Sequence, residues 1–201
     1  MHDVHVLSEP ARERVAKLGP TTSQSFFARW LARREWDTRG CELVHGRVVR
    51  RREPGPRGST FARRLQRRLA AAAEGSGTVV LEPRQGLELP TGDTLMPDVS
   101  VVSAERWANA SPSAGDLLRV VPDLVVEVVV DALARPECEA RREIYERSGV
   151  REYWIADLRT RTITVSVARR TGIELGWVLS GADTLRSPVL PELRLGLGLL
   201  F

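Results

Sequence analysis

The chain has 201 residues, a formal net charge of +4 and 42% hydrophobic residues, which suits one soluble globular domain with a sizeable core. No apolar run approaches the ~20 residues of a membrane span. The first ten residues lack a basic region followed by an apolar one, so no signal peptide is expected and the expected location is cytoplasmic. Cys41 and Cys138 are too few for a disulfide framework and read as reduced thiols. His2, His5 and His45 do not cluster with them, which argues against zinc. Lys17 is the only lysine, so chemistry that needs lysine must use it or do without.

In chain order, residues 1–22 read as an N-terminal extension and 23–201 as one domain. Phe26, Phe27, Trp30 and Leu31 recur at helical spacing and predict a helix over 23–36, with Thr22 or Ser23 as its cap. Residues 42–50 read as a hairpin turned at His45-Gly46. A Pro- and Gly-rich loop over 53–58 precedes a helix over 59–74, whose stripe is Phe61, Leu65 and Leu69. Arg50, Arg51, Arg52 and Arg57 together with Arg63, Arg64, Arg67 and Arg68 form the densest basic region of the chain. Such a region can neutralise phosphates or simply be a solvated helix face. The one aromatic residue among these arginines, Phe61, belongs to the apolar stripe, so base stacking is not indicated.

Short strands follow over 78–81, 86–89 and 96–102, then a helical turn from Ser103 to Trp107 and a loop over 109–116. A strand over 124–130, a helix after Pro136 ending at Gly149, and a strand over 152–157 come next. An antiparallel pair over 162–168 and 173–179 leads to a proline-limited closing segment. The order predicts an α+β fold, an α/β sandwich around a mixed sheet.

The stretch 97–131 organises this reading. Its two apolar runs each carry one acid, Asp98 at the mouth of the first and Glu127 in the middle of the second. Val125, Glu127 and Val129 share one face of their strand, and Leu124, Val126 and Val128 the other. A run apolar on both faces is a central strand, where an ionised Glu costs several kcal/mol unless something cationic meets it. A metal, an arginine or a proton can do so, and the metal is the expectation carried forward.

Leu43-Val-His-Gly-Arg-Val-Val, Met96-Pro-Asp-Val-Ser-Val-Val, Pro122-Asp-Leu-Val-Val-Glu-Val and the run from Tyr145 through Gly149-Val150 and Glu152-Tyr153-Trp154-Ile155 to Asp157 closely resemble the Uma-type restriction endonuclease family of the PD-(D/E)XK nuclease superfamily. The resemblance spans about residues 23–201. It implies a restriction-endonuclease-like mixed sheet flanked by helices, with Asp98 and Glu127 on adjacent strands as metal-binding acids. It further implies a Mg2+- or Mn2+-dependent DNA endonuclease, since a hard cation prefers carboxylate, carbonyl and water oxygens and can activate water against a phosphodiester. The Val128 carbonyl and Glu82 are candidate further ligands. Arg51, Arg52, Arg57, Arg63, Arg64 and Arg67 are candidates for seating the nucleic-acid backbone, and a homodimer would suit cutting of both strands.

The chain departs from the family pattern in four places, one of them Val130-Asp-Ala-Leu-Ala where the family has Ser-Pro-Ser after the Glu strand. Val129 stands where the superfamily motif has lysine. Arg141 stands where family members carry lysine on the following helix; it can offset phosphate charge but cannot accept a proton. Gly58 stands at the family's histidine. The second reading is therefore a catalytically degenerate nuclease fold that binds nucleic acid or protein.

Overall fold

The structure, a computed structural model, describes residues 22–33, 40–169 and 172–201, without the side chains of residues 169 and 172–175. Nearly all of the expected extension, Lys17, His2, His5 and the end of the first predicted helix lie outside the described residues. Helix α1 spans Gln24–Ala32, and the Ser23 hydroxyl accepts the Phe26 N–H at 3.3 Å as its cap. Strands β1 (Cys41–Val44) and β2 (Arg47–Arg50) pair antiparallel around His45 and Gly46. Both turn residues have positive φ, 49° and 74°, as a two-residue hairpin turn requires.

Helix α2 spans Gly55–Ala73. It begins four residues before its predicted start, because a proline near the first helical position loses no intrahelical hydrogen bond. Phe61, Leu65, Leu69 and Ala73 recur every four residues and are buried, each large side chain contributing roughly 1.5–3 kcal/mol. Gly58 is buried against the chain at Val130, where an added Cβ would stand 2.6 Å from Pro54 Cβ and 3.0 Å from Val130 Cγ1. Glycine at this position thus lets the helix sit close on the residue that follows the Glu127 strand.

Strands β3 (Val79–Val80), β4 (Leu87–Glu88), β5 (Thr94–Leu95) and β6 (Val99–Val102) follow. The strand expected over 96–102 is in fact shortened to β6, with β5 ahead of it in a different sheet, because Pro97 supplies no N–H to a ladder. Helix α3 (Ala104–Trp107), β7 (Ser111–Pro112), a 3-10 turn at Ala114–Asp116, β8 (Leu118–Arg119) and β9 (Leu124–Val129) come next. Helix α4 (Ala134–Ser148) also starts ahead of its proline. Asp131 Oδ1 accepts the N–H groups of Leu133 and Ala134 at its start, at 2.9 and 3.0 Å, and Gly149 ends it with φ 88°. Strands β10 (Glu152–Asp157), β11 (Thr162–Arg169), β12 (Gly172–Ser180), β13 (Thr184–Leu185) and β14 (Leu195–Gly196) complete the order.

Two six-stranded mixed sheets result, ordered β2-β1-β5-β4-β8-β7 and β12-β11-β10-β9-β6-β3. The chain passes between them more than once, and the crossing at residues 96–98 is the one that carries Asp98. In the second sheet β9 is flanked by antiparallel β6 and parallel β10. Leu124, Val126 and Val128 face a core shared with Phe61, Leu65 and Trp154. Val125 and Val129 face a second core with Ile144, Tyr145 and Tyr153 from the α4 side. This is the α+β architecture expected from the sequence. Among the described residues no helix is long and apolar enough to cross a membrane.

Candidate functional site

The antiparallel register of β6 and β9 sets Val99 opposite Val126, so Asp98, just ahead of β6, meets Glu127. Both acids are buried, at 1% and 0% exposure. They converge on an arginine. Arg51 leaves β2 in the first sheet and reaches into the gap between the two acids. Its Nη2 donates to Asp98 Oδ2 at 2.7 Å and to Glu127 Oε2, and its Nη1 donates to the Met96 carbonyl. The backbone N–H of Val128 also donates to Asp98 Oδ2, at 2.7 Å. Tyr145 on α4 donates its hydroxyl to Glu127 Oε1 at 3.0 Å.

Arg141, one helical turn before Tyr145, does not reach these acids. Its Nε and Nη2 donate to Glu42 Oε2 at 3.1 and 2.8 Å. Glu42 Oε1 accepts the Met96 N–H at 2.8 Å. The polar contacts therefore close a ring that starts and ends on α4: Arg141, Glu42, the Met96 backbone, Arg51, Glu127, Tyr145. Three carboxylates face two guanidiniums inside it, with Asp98 as the branch. Arg141 and Arg51 outweigh burial at Glu42 and hold its carboxyl below the ordinary range. Burial dominates at Glu127, with Asp98 adding to it against Arg51, and its pKa is raised to about 7. Burial likewise pushes the Tyr145 hydroxyl up, and Cys138, behind the site, is a thiol pushed up by burial.

A divalent ion does not fit this arrangement. Three of the four oxygens of Asp98 and Glu127 already accept hydrogen bonds, and only Asp98 Oδ1 has no partner. Among the described residues no three His, Cys, Asp or Glu side chains are grouped to hold a metal. The recess beside Arg51, Asp98, Val128, Cys138 and Arg141 measures about 20 Å³, room for about one water. A magnesium ion needs an octahedron of oxygens, and the guanidinium stands in its way.

The other predicted positions divide clearly. Glu82 is exposed and does not line the recess. Arg51 leaves the backbone-seating set: it is 6% exposed, with its donors spent on the acids. Arg52 is half-buried, with Nη1 3.5 Å from Asp131 Oδ2. Arg57, Arg63, Arg64 and Arg67 are exposed along α2. Arg57 and Arg64 line a groove of about 430 Å³ with Arg161, Phe61 and Phe201, and among the described residues no acidic side chain borders it. Arg57 Nη2 donates to the Leu158 carbonyl at 2.7 Å and Arg64 Nη1 to that of Leu200 at 3.0 Å, leaving their remaining donors to the groove. Phe61 on α2 packs against Phe201 of the closing segment, at 5.1 Å between ring centroids.

Two members of the ring, Glu42 and Tyr145, were not singled out as site residues by sequence reasoning. An arginine on the inward stripe of α4 requires a buried anion, which is the signal that points to Glu42. The signal for Arg51 is its place between Arg50 and Arg52, since alternation sends the middle residue of an extended run to the opposite side.

The comparisons agree with this fold. The Uma2 family, described as "Putative restriction endonuclease", matches residues 27–198. Among solved structures, "a putative nuclease belonging to DUF820 from Anabaena variabilis ATCC 29413" superposes with a TM-score of 0.71 at 16% identity, covering 89% of this chain and 97% of that one. No curated protein matches the chain.

Proposed function

This chain belongs to the Uma2 family, and on that premise we propose that it is a nuclease-fold protein that binds nucleic-acid backbones without metal-dependent cleavage. The observation that carries the reading is the Arg51 guanidinium shared by Asp98 and Glu127. It supplies the positive charge that two converging buried acids need, and it occupies one oxygen of each. The groove lined by Arg57, Arg64 and Arg161 offers the backbone contact, with Arg63 and Arg67 extending the basic face along α2. Phosphate contacts of this kind are sequence-independent and weaken steeply with salt.

The test pairs cleavage with binding. Plasmid DNA incubated with the full chain and Mg2+ or Mn2+ should be cut no faster than with the Asp98→Ala, Glu127→Ala double variant. Gel-shift affinity for the same DNA should fall steeply between low and moderate salt. Replacing Arg57 and Arg64 together with alanine should lower the slope of log affinity against log salt by about 1 for each phosphate these side chains neutralise. Cleavage that the double variant lacks overturns the reading, as does binding that ignores salt.

One observation favours a second reading, a Mg2+- or Mn2+-dependent DNA endonuclease: the unpartnered Asp98 Oδ1 beside the recess. There Asp98, Glu127 and the Val128 carbonyl would be the ligands, and Arg141 would offset phosphate charge. This reading predicts cleavage by the unaltered chain, and faster cleavage by Arg141→Lys, which puts an amine at the family's position.

A further inference from the structure

Among the described arginines only Arg51 and Arg141 are buried, and they are used differently. Arg141 spends two donors on one carboxylate, Glu42, with the half-exposed Glu137 carboxylate 4.0 Å from its Nη1. Arg51 faces two carboxylates through one nitrogen and anchors a second nitrogen on the Met96 carbonyl. That carbonyl belongs to the segment that delivers Asp98, and the Glu127 strand is its hydrogen-bonded neighbour. The guanidinium therefore sits where the two strands bring their acids together, and it binds both acids and a backbone oxygen. A hard divalent cation would look for the same three kinds of contact: two carboxylates and a neutral oxygen.

We propose that Arg51 is the resident cation of the Asp98–Glu127 pair, so that the unaltered chain takes no divalent ion there, and that shortening this one side chain opens a site for Mn2+ or Mg2+. The proposal deepens the functional reading above and rests on it. With Arg51 replaced by methionine, Asp98 Oδ1, already without a partner, is joined by Glu127 Oε2, freed of its donor. Asp98 Oδ2 keeps the Val128 N–H, which holds that carboxylate in its present orientation. Tyr145 does the same for Glu127 through Oε1. The recess of about 20 Å³ then merges with the volume the guanidinium leaves, giving room for the ion and its waters. Methionine keeps the apolar stem and removes only the charge and its donors.

The experiment uses Mn2+ itself as the probe, with the full-length chain, Arg51→Met, Asp98→Asn and the Arg51→Met, Asp98→Asn double variant. Bound Mn2+ is read from the loss of the free-ion electron paramagnetic resonance signal, and melting temperature is recorded with and without Mn2+. The unaltered chain should show no stoichiometric site and no Mn2+-dependent rise in melting temperature. Arg51→Met should bind one Mn2+ roughly tenfold or more tighter than the unaltered chain, and Mn2+ should raise its melting temperature by mass action. The double variant should lose both effects. One Mn2+ bound by the unaltered chain and lost in Asp98→Asn overturns the proposal, and this arm decides it even if Arg51→Met does not fold. A folded Arg51→Met that gains no site overturns it too. Failure of the gel shift would sink the nucleic-acid reading while leaving the Mn2+ titration unaffected, so the two failures are told apart.

Discussion

Two glutamates are wholly buried on neighbouring parallel strands and are accommodated in opposite ways. Glu127 on β9 points toward α4 and meets Arg51 and the Tyr145 hydroxyl. Glu152 on β10, three positions before the residue that pairs with Glu127, meets no cation among the described residues. It accepts hydrogen bonds from the Trp154 indole N–H at 3.1 Å, the Ser187 hydroxyl and the Val189 N–H at 3.4 Å. Burial is the leading cause at both, and both carboxyls are raised above the ordinary range. Glu152 shows that a lone buried glutamate in this sheet needs only neutral donors. The arginine at Glu127 is there because Asp98 converges on the same point, and two adjacent carboxylates cannot both be held by neutral donors at low cost.

The comparison breaks most visibly at its cation. Arg51→Ala leaves Asp98 and Glu127 facing one another in a buried site with nothing positive between them, and should cost about 3–5 kcal/mol of stability. Chemical denaturation at pH 8 measures it. A loss under about 1 kcal/mol would mean that Arg51 is as dispensable as a surface ion pair.

Much of this is legible in the sequence, and the gaps have physical causes. The alternation of Leu124 to Val129 correctly puts Glu127 on one face of a central strand, and the cap at Ser23 and the stop at Gly149 follow from local chemistry alone. Sequence patterning starts both α2 and α4 too late, because a proline looks like a breaker although the first turn tolerates it. The split of β5 from β6 is hidden because Leu95, Val99, Val101 and Val102 are all apolar, and pairing partners, not periodicity, decide which sheet each joins. The three ways to meet Glu127 are readable, but the choice among them is not. Arg51 comes from the end of a strand in a different sheet, 76 residues away in the chain; alternation turns it away from Arg50 and Arg52 but does not say which acids it meets. Glu152 reads only as the first residue of a strand, since its donors at Ser187 and Val189 lie in a segment with little regular pattern.

The pH dependence sharpens the comparison at somewhat lower energy. The Glu127 carboxyl has an ordinary value of 4.5 and is raised to about 7 in the folded chain. Between these values the folded chain holds a proton that the unfolded chain has released, so stability falls as pH rises through this window. The contribution is fully present below 4.5 and gone above about 7. Glu127→Gln should remove a decline of up to ~3 kcal/mol from a series of denaturation midpoints between pH 4.5 and 8. Glu152 contributes a decline of the same sign that starts above 4.5, so Glu152→Gln should flatten what remains. Glu42, held low by Arg141 and Arg51, acts with the opposite sign and only as pH falls below 4.5. An unchanged profile in Glu127→Gln would show that Arg51 keeps Glu127 ionised throughout.

The smallest effect tests the neutral side directly. Ser187→Ala removes one donor from Glu152 and leaves Trp154 and Val189 in place. The pH-sensitive part of its cost is the loss of one buried hydrogen bond to a carboxylate, about 1–2 kcal/mol, on top of a pH-independent cost from the Val189 and Leu190 N–H groups, which lose the hydroxyl as acceptor. It should be larger at pH 8 than at pH 5, because the missing donor served the ionised form, and a protonated Glu152 needs it less. No salt dependence is expected, since the donor carries no charge and the group lies away from solvent. If Ser187→Ala instead costs as much as Arg51→Ala, neutral donors and a guanidinium are equivalent here, and the special standing of Arg51 between its two acids is gone.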